Sequence, residues 1–316
     1  AILEPGPHGH LAADEENLDR ACAAFNPDAG LVLGVGAGVI NDLGKLVAGR
    51  YRAAYVAVPT AASMNGYGSP IAALVEGGVK VTRPTVPTEA IVADATVLAA
   101  APARLTRSGF GDLLAKNSAN ADWFIAARLT GAYYCDVPVE LVRRASDRVL
   151  GQAEAVGRGE PPAVAALTRG LVAGAFAMAA AGESAPASGG EHLISHYLDM
   201  TAHAFHRTPA LHGEQVALGT LIAAALYERI VRLDIDTLRV QALVDRYPDW
   251  PQREAEVRRV HGRLAEHVLG PARAQHLTKA AYRARLERIR AQWGGIWSAL
   301  AGRLLDCRTI RAAYER

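Results

Sequence analysis

Short β-branched runs bounded by glycine and proline fill the first third of the chain and all but stop near residue 105. They are "AGLVLGVGAG" (29–38), "AAYVAVPT" (53–60) and "KVTRPTVPTEAIVAD" (80–94). Runs of that length and composition predict buried strands of an α/β sheet. Beyond residue 105 alanine, leucine and arginine dominate, as in "PPAVAALTRGLVAGAFAMAAAG" (161–182) and "EQVALGTLIAAALYERIVRL" (214–233), which predicts helix. A length of 316 residues suits two lobes better than one small core. The expected organisation is therefore an α/β domain over 1–105 and an all-helical domain over 106–316. "ESAPASGG" (183–190) interrupts the helical half, because Pro186 and the paired glycines do not continue a helix.

Composition narrows the function classes. Half the residues are hydrophobic and 21% charged, as in a globular protein, and a formal net charge of +2 makes no electrostatic case for nucleic acid. Cys22, Cys135 and Cys307 lie far apart with no ligand spacing, and read as buried thiols in a reducing compartment. No uncharged apolar run of membrane-spanning length and no signal peptide is evident, so a cytoplasmic protein without a membrane span is expected.

"LVLGVGAGVINDLGK" (31–45) sets a strand-like run before spaced glycines and a helix. Such a turn lets the backbone approach a pyrophosphate at a helix N-terminus, yet Gly34, Gly36 and Gly38 do not complete GxGxxG, and a plain strand-to-helix turn fits the spacing equally. The next loop, "VPTAASMNGYGSP" (58–70), places Thr60, Ser63, Asn65 and Ser69 after a strand, where α/β proteins hold nucleotides.

In the second half, "SGGEHLISHYLDM" (188–200) sets His192 and His196 one helical turn apart, with Glu191 beside the first and Asp199 beyond the second. With Asp112 in "SGFGDLLAKNSANADW" and His212 in "LHGEQVALG", His192 and His196 make up the possible metal ligands, and one carboxylate with two imidazoles suits Zn²⁺, Fe²⁺ or Ni²⁺ with positions left open for a substrate oxygen. His203 and His206 have no partner motif and read as ordinary helix residues.

In this order "GVGAGVIND", "VPTAASMNGYGSP", "SGFGDLLAK", "GGEHLISHYLDM" and "LHGEQVALG" resemble the sn-glycerol-1-phosphate dehydrogenases, particularly their bacterial branch. That group lies within the iron-containing alcohol dehydrogenase, glycerol dehydrogenase and dehydroquinate synthase superfamily. The resemblance implies a Rossmann-like N-terminal domain, an all-α C-terminal domain and an active site in the cleft between them. It places Gly36, Gly38 and Asp42 at NAD(H) or NADP(H), with Thr60, Ser63 and Ser69 on the nicotinamide side. Asp112, His192 and His212 become ligands of one divalent metal, with zinc favoured and nickel or iron open. Asn65, Asp112, His196 and Lys116 become substrate contacts, with Asp112 and His196 catalytic. The implied reaction is reduction of dihydroxyacetone phosphate to sn-glycerol 1-phosphate by a homo-oligomer. An unphosphorylated polyol, a dehydroquinate-synthase-like cyclisation and a non-catalytic nucleotide-binding protein are the alternatives. Asn65 stands where the family usually has aspartate, and Ala185 where close relatives commonly carry arginine. The stretch 1–25 resembles a later strand and helix of the family's nucleotide domain.

Overall fold

The computed structural model describes residues 3–4, 11–77, 79–205 and 207–316. His206 and the side chain of His203 lie outside this description, as does most of the strand expected before residue 11. The helix expected next is α1 (Glu15–Ala23), whose N-cap Asp14 accepts the amide of Asn17 at 2.8 Å. Among the described residues all five strands precede residue 92: β1 (Leu31–Gly36), β2 (Ala54–Pro59), β3 (Ile71–Glu76), β4 (Val79–Pro84) and β5 (Thr88–Ile91). β1, β2 and β5 form a parallel sheet in that order, with α2 (Gly38–Tyr51) crossing from β1 to β2.

The strands differ from the sequence reading in two ways. The run 80–94 is two strands, because β4 turns back on β3 as an antiparallel hairpin and the chain breaks around Pro84–Pro87 before joining the parallel sheet as β5. The strands are also not uniformly buried. β2, paired on both sides, alternates between buried and half-buried, whereas edge strand β1 leaves Leu31, Leu33 and Val35 about half exposed. Gly34 is needed for packing in β1, since a Cβ there would lie 2.3 Å from the Tyr55 hydroxyl.

From Ala95 onward the chain is helical, with α3 (Ala95–Ala99), α4 (Ala103–Leu114), α5 (Lys116–Thr130), α6 (Asp136–Leu150), α7 (Ala153–Gly157), α8 (Pro161–Ala181), α9 (Gly190–Ala204) and α10 (His212–Val231). Five more follow: α11 (Val240–Arg246), α12 (Trp250–His261), α13 (Ala265–Gln275), α14 (Lys279–Leu300) and α15 (Cys307–Tyr314). Helix α4 starts after Pro102 and runs across position 105, so the change from strand to helix precedes the expected boundary. Helix α8 has the length and mean hydropathy, 1.6, of a membrane span, but Arg169 interrupts its uncharged run and 61% of that window is buried inside the molecule. Its Val164, Leu167 and Leu171 join Leu113, Leu114 and Val149 in the main core. Cys22 is buried as expected, while Cys135 and Cys307 are only partly so; none is disulfide-bonded.

Lys45 locks the segment after β2 in place. Its side chain is fully buried, and its Nζ donates to the carbonyls of Gly66 at 2.7 Å, Ser69 at 3.0 Å and Ile71 at 2.5 Å. Burial lowers its pKa to about 8, partly opposed by Asp42. Between about pH 8 and 10.5 the unfolded chain therefore holds a proton that the folded chain has released, and stability contributed by this group rises with pH across that window. Urea titrations are expected to show the parent gaining stability from pH 8 to 10 relative to Lys45→Met. Parallel pH profiles would show that Lys45 is not desolvated as described.

Candidate metal centre between the sheet and the helices

The carboxyl ends of the parallel strands point toward the helical half. The glycine turn leads from β1 into α2 at one side of this edge, and residues 60–70 run across it. Gly38 opens α2, and a Cβ there would lie 3.3 Å from the Met64 side chain. A Cβ at Gly36 would meet Ile40 at 2.7 Å, so that turn is tight. Thr60 donates its amide to the Gly36 carbonyl at 3.2 Å and so stands beside the turn, as does partly buried Asp42 on the first turns of α2. Ser63 is buried with its hydroxyl 3.4 Å from that of Tyr67, and its carbonyl accepts from Ser108 at 3.2 Å. The Ser69 hydroxyl is turned into its own loop, 3.1 Å from both the Gly66 and the Ile71 carbonyl with one hydrogen to donate to either, and it accepts from Lys45.

Across this loop lies Asp112, fully buried on α4. Its Oδ2 accepts the Asn65 amide at 2.9 Å, which clamps the loop to the helix. Its Oδ1 accepts from Lys116 Nζ at 2.6 Å and lies 3.6 Å from His192 Nε2. Burial pushes the Asp112 carboxyl upward, but Lys116, His192 and His212 together overcome this and hold it well below the usual carboxylate range. Asp112, His192 and His212 each present a ligand atom, and these atoms all lie within 4.8 Å of one another. Residues 112, 192 and 212 thus converge from three helices, while His196 lies one turn along α9 from His192 and is partly buried. Lys116 is fully buried and donates also to the Ala187 carbonyl at 2.9 Å. Asn65 and Lys116 sit together against α8, both 3.7 Å from where a Cβ of Gly174 would be.

The donors fit a divalent cation. One ionised carboxylate and two imidazoles are a chemically matched set, and the groups behind them are arranged as metal sites require. Glu191, fully buried, lies 2.8 Å from His192 Nδ1, which leaves Nε2 turned toward Asp112. Burial raises the Glu191 pKa, but its contacts with His192 and the Gly189 amide lower it further, so the carboxyl sits below its ordinary range. It is held by the Ser118 hydroxyl at 2.8 Å and that amide at 2.7 Å. Sequence reasoning gave Glu191 and Lys45 no role. The adjacency "EH" was the available signal for the first; nothing local marks the second.

Residues 6–102 match the family model described as iron-containing alcohol dehydrogenase. A glycerol-1-phosphate dehydrogenase [NAD(P)+] of Archaeoglobus fulgidus is 34% identical over 248 residues, covering 78% of this chain and 66% of the relative. The chain belongs to the iron-containing alcohol dehydrogenase family. Two further relatives bearing the same name come from Bacillus licheniformis, 31% identical over 83% of this chain and 66% of its own, and Hyperthermus butylicus, 41% identical over 67% and 59%. The chain thus spans about 59–66% of the length of these curated relatives. Among solved structures, a probable glycerol dehydrogenase from Sinorhizobium meliloti superposes with a TM-score of 0.56 at 21% identity, covering 89% of this chain and 82% of that one. Glycerol dehydrogenase from Schizosaccharomyces pombe gives 0.54 at 17%, covering 92% and 76%. These structures share the fold of this family member, an α/β region followed by helices.

Proposed function

We propose that the protein reduces dihydroxyacetone phosphate to sn-glycerol 1-phosphate, using NAD(P)H and one divalent metal held by Asp112, His192 and His212. The observation that carries this reading is the convergence of those three ligands beneath the loop 60–70, in a chain whose relatives are named glycerol-1-phosphate dehydrogenase [NAD(P)+]. When bound, the cation polarises the ketone carbonyl and the reduced nicotinamide supplies hydride. The chain's residues do the rest. Gly36 and Gly38 leave room for a pyrophosphate, with Asp42 beside them and Thr60, Ser63 and Ser69 shaping the nicotinamide side. Asn65 and Lys116 stand on the substrate side, and Lys116 also keeps Asp112 ionised for ligation. His196 carries the proton required by the product hydroxyl. In this reading the division near residue 105 separates nucleotide and metal lobes, zinc is the metal, and the enzyme is a cytoplasmic homo-oligomer.

A steady-state assay with NADH or NADPH and a panel of phosphorylated and plain ketones tests the reaction. Net oxidation with dihydroxyacetone phosphate is expected. Selective turnover of unphosphorylated ketones would move the substrate to a plain polyol, consistent with Ala185 in place of an arginine. Cofactor-neutral turnover would indicate a cyclase, and no turnover a binding protein.

The two histidines of α9 divide the labour. His192→Ala is expected to lose metal, whereas His196→Ala keeps metal and nucleotide and falls about 10²–10⁴-fold in kcat. Metal analysis and nucleotide titration on both folded variants check this, and metal loss from His196→Ala would reassign the ligands.

A further inference from the structure

Behind His212 a chain of hydrogen bonds crosses from α9 to α10 and back. Gln215 donates from Nε2 to Asp199 Oδ1 at 2.7 Å and to the Ala210 carbonyl at 3.3 Å. A carboxylate and a backbone carbonyl are acceptors, so the amide can face them only with its nitrogen. Its Oε1 therefore points the other way, 2.8 Å from Ser195 Oγ. An amide oxygen cannot donate, which commits the single hydroxyl hydrogen of Ser195 to Gln215. Ser195 Oγ also lies 3.3 Å from His212 Nδ1. With its hydrogen already used, the hydroxyl can only accept there, and the bond requires a hydrogen on Nδ1. The other tautomer would set two lone pairs against each other. Ser195 is fully buried, with Gln215 at 5% and Asp199 at 7% exposure, so bulk water does not relieve such a mismatch.

We propose that Asp199, Gln215 and Ser195 are positioning residues that fix the tautomer of His212, with hydrogen on Nδ1 and the lone pair of Nε2 presented to the metal. The inference rests on the metal-centre reading above. It assigns the two imidazoles different supports. His192 meets the carboxylate of Glu191 directly, whereas His212 meets a neutral hydroxyl whose direction is set two residues away. Ser195 and Asp199 follow His192 on α9 by three and seven positions, so one buried helix face carries a ligand and the support of its neighbour.

The test uses Ser195→Ala, Gln215→Met and the double variant in the full chain, each checked for folding by circular dichroism. Cobalt binding to protein stripped of metal is the first readout. Loss of such supporting groups costs about 10–100-fold in metal affinity, and that weakening is expected for both single variants. Because Gln215 acts through Ser195, the double variant should bind no more weakly than Ser195→Ala. The second readout is imidazole ¹⁵N NMR of the metal-free protein, with His212 assigned by His212→Gln. The parent should show hydrogen on Nδ1, and Gln215→Met a shift toward the other tautomer. Ser195→Ala removes one oxygen only and carries the affinity test if Gln215→Met does not fold. Parent affinity and parent tautomer in Gln215→Met, or losses that multiply in the double variant, would overturn the relay. A parent that shows the Nδ1 hydrogen but binds no cobalt would support the relay and overturn the metal reading instead.

Discussion

Asp112→Ala is expected to lose its divalent metal and, separately, about 3–5 kcal/mol of stability, the usual cost of removing one partner from a buried ion pair. Lys116 is fully buried, and its partners are Asp112 Oδ1 at 2.6 Å and the Ala187 carbonyl. Removing the carboxylate leaves that cation with no counter-charge and frees the Asn65 amide that Asp112 holds at 2.9 Å. The two losses separate in Asp112→Ala/Lys116→Met, which should recover much of the stability and none of the metal. Urea denaturation and metal analysis on the three proteins check this. Stoichiometric metal in the folded double variant would remove Asp112 from the ligand set.

Gly213→Ala should be nearly as damaging, although Gly213 has no side chain of its own to lose; its amide donates to the Ser108 hydroxyl at 3.1 Å. Helices α4 and α10 meet backbone to backbone: a Cβ at Gly213 would lie 1.7 Å from the Ser108 carbonyl oxygen, and one at Gly111 2.5 Å from that of Gly213. Backbone cannot step aside as a flexible side chain does, so the helices must part. Overpacking of this kind costs about 1–3 kcal/mol or more. Asp112 and His212 are the next residues along these two helices, so separating the helices also separates two ligands. Metal affinity should fall with stability. Gly294→Ala is the control, since an added Cβ there meets nothing within 4 Å and the helix should gain about 1 kcal/mol. Parent-like stability and metal affinity in Gly213→Ala would show that the crossing is looser than described.

Much of this was legible in the sequence because it depends on local pattern. The runs 29–38 and 53–60 became β1 and β2, since short β-branched stretches bounded by turn residues have few other ways to bury themselves. The alanine- and leucine-rich second half became helix for the same kind of reason. Residue chemistry gathered Asp112, His192, His196 and His212, the resemblance selected Asp112, His192 and His212 from them, and the structure brings the ligand atoms of these three within 4.8 Å.

What tertiary structure alone decided depends on which elements cross. The hairpin of β3 and β4 was invisible because "KVTRPTVPTEAIVAD" is β-rich throughout, and only pairing with β3 separates its halves. Lys45 reads as an ordinary helix lysine until the loop 66–71 closes over it with three carbonyls. Ser195, Asp199 and Gln215 are common helix residues, and their roles come from contacts 16 to 20 positions apart across the α9–α10 interface. A buried polar group costs free energy until it finds a partner, and the partner is chosen by helix crossing, which no local pattern encodes.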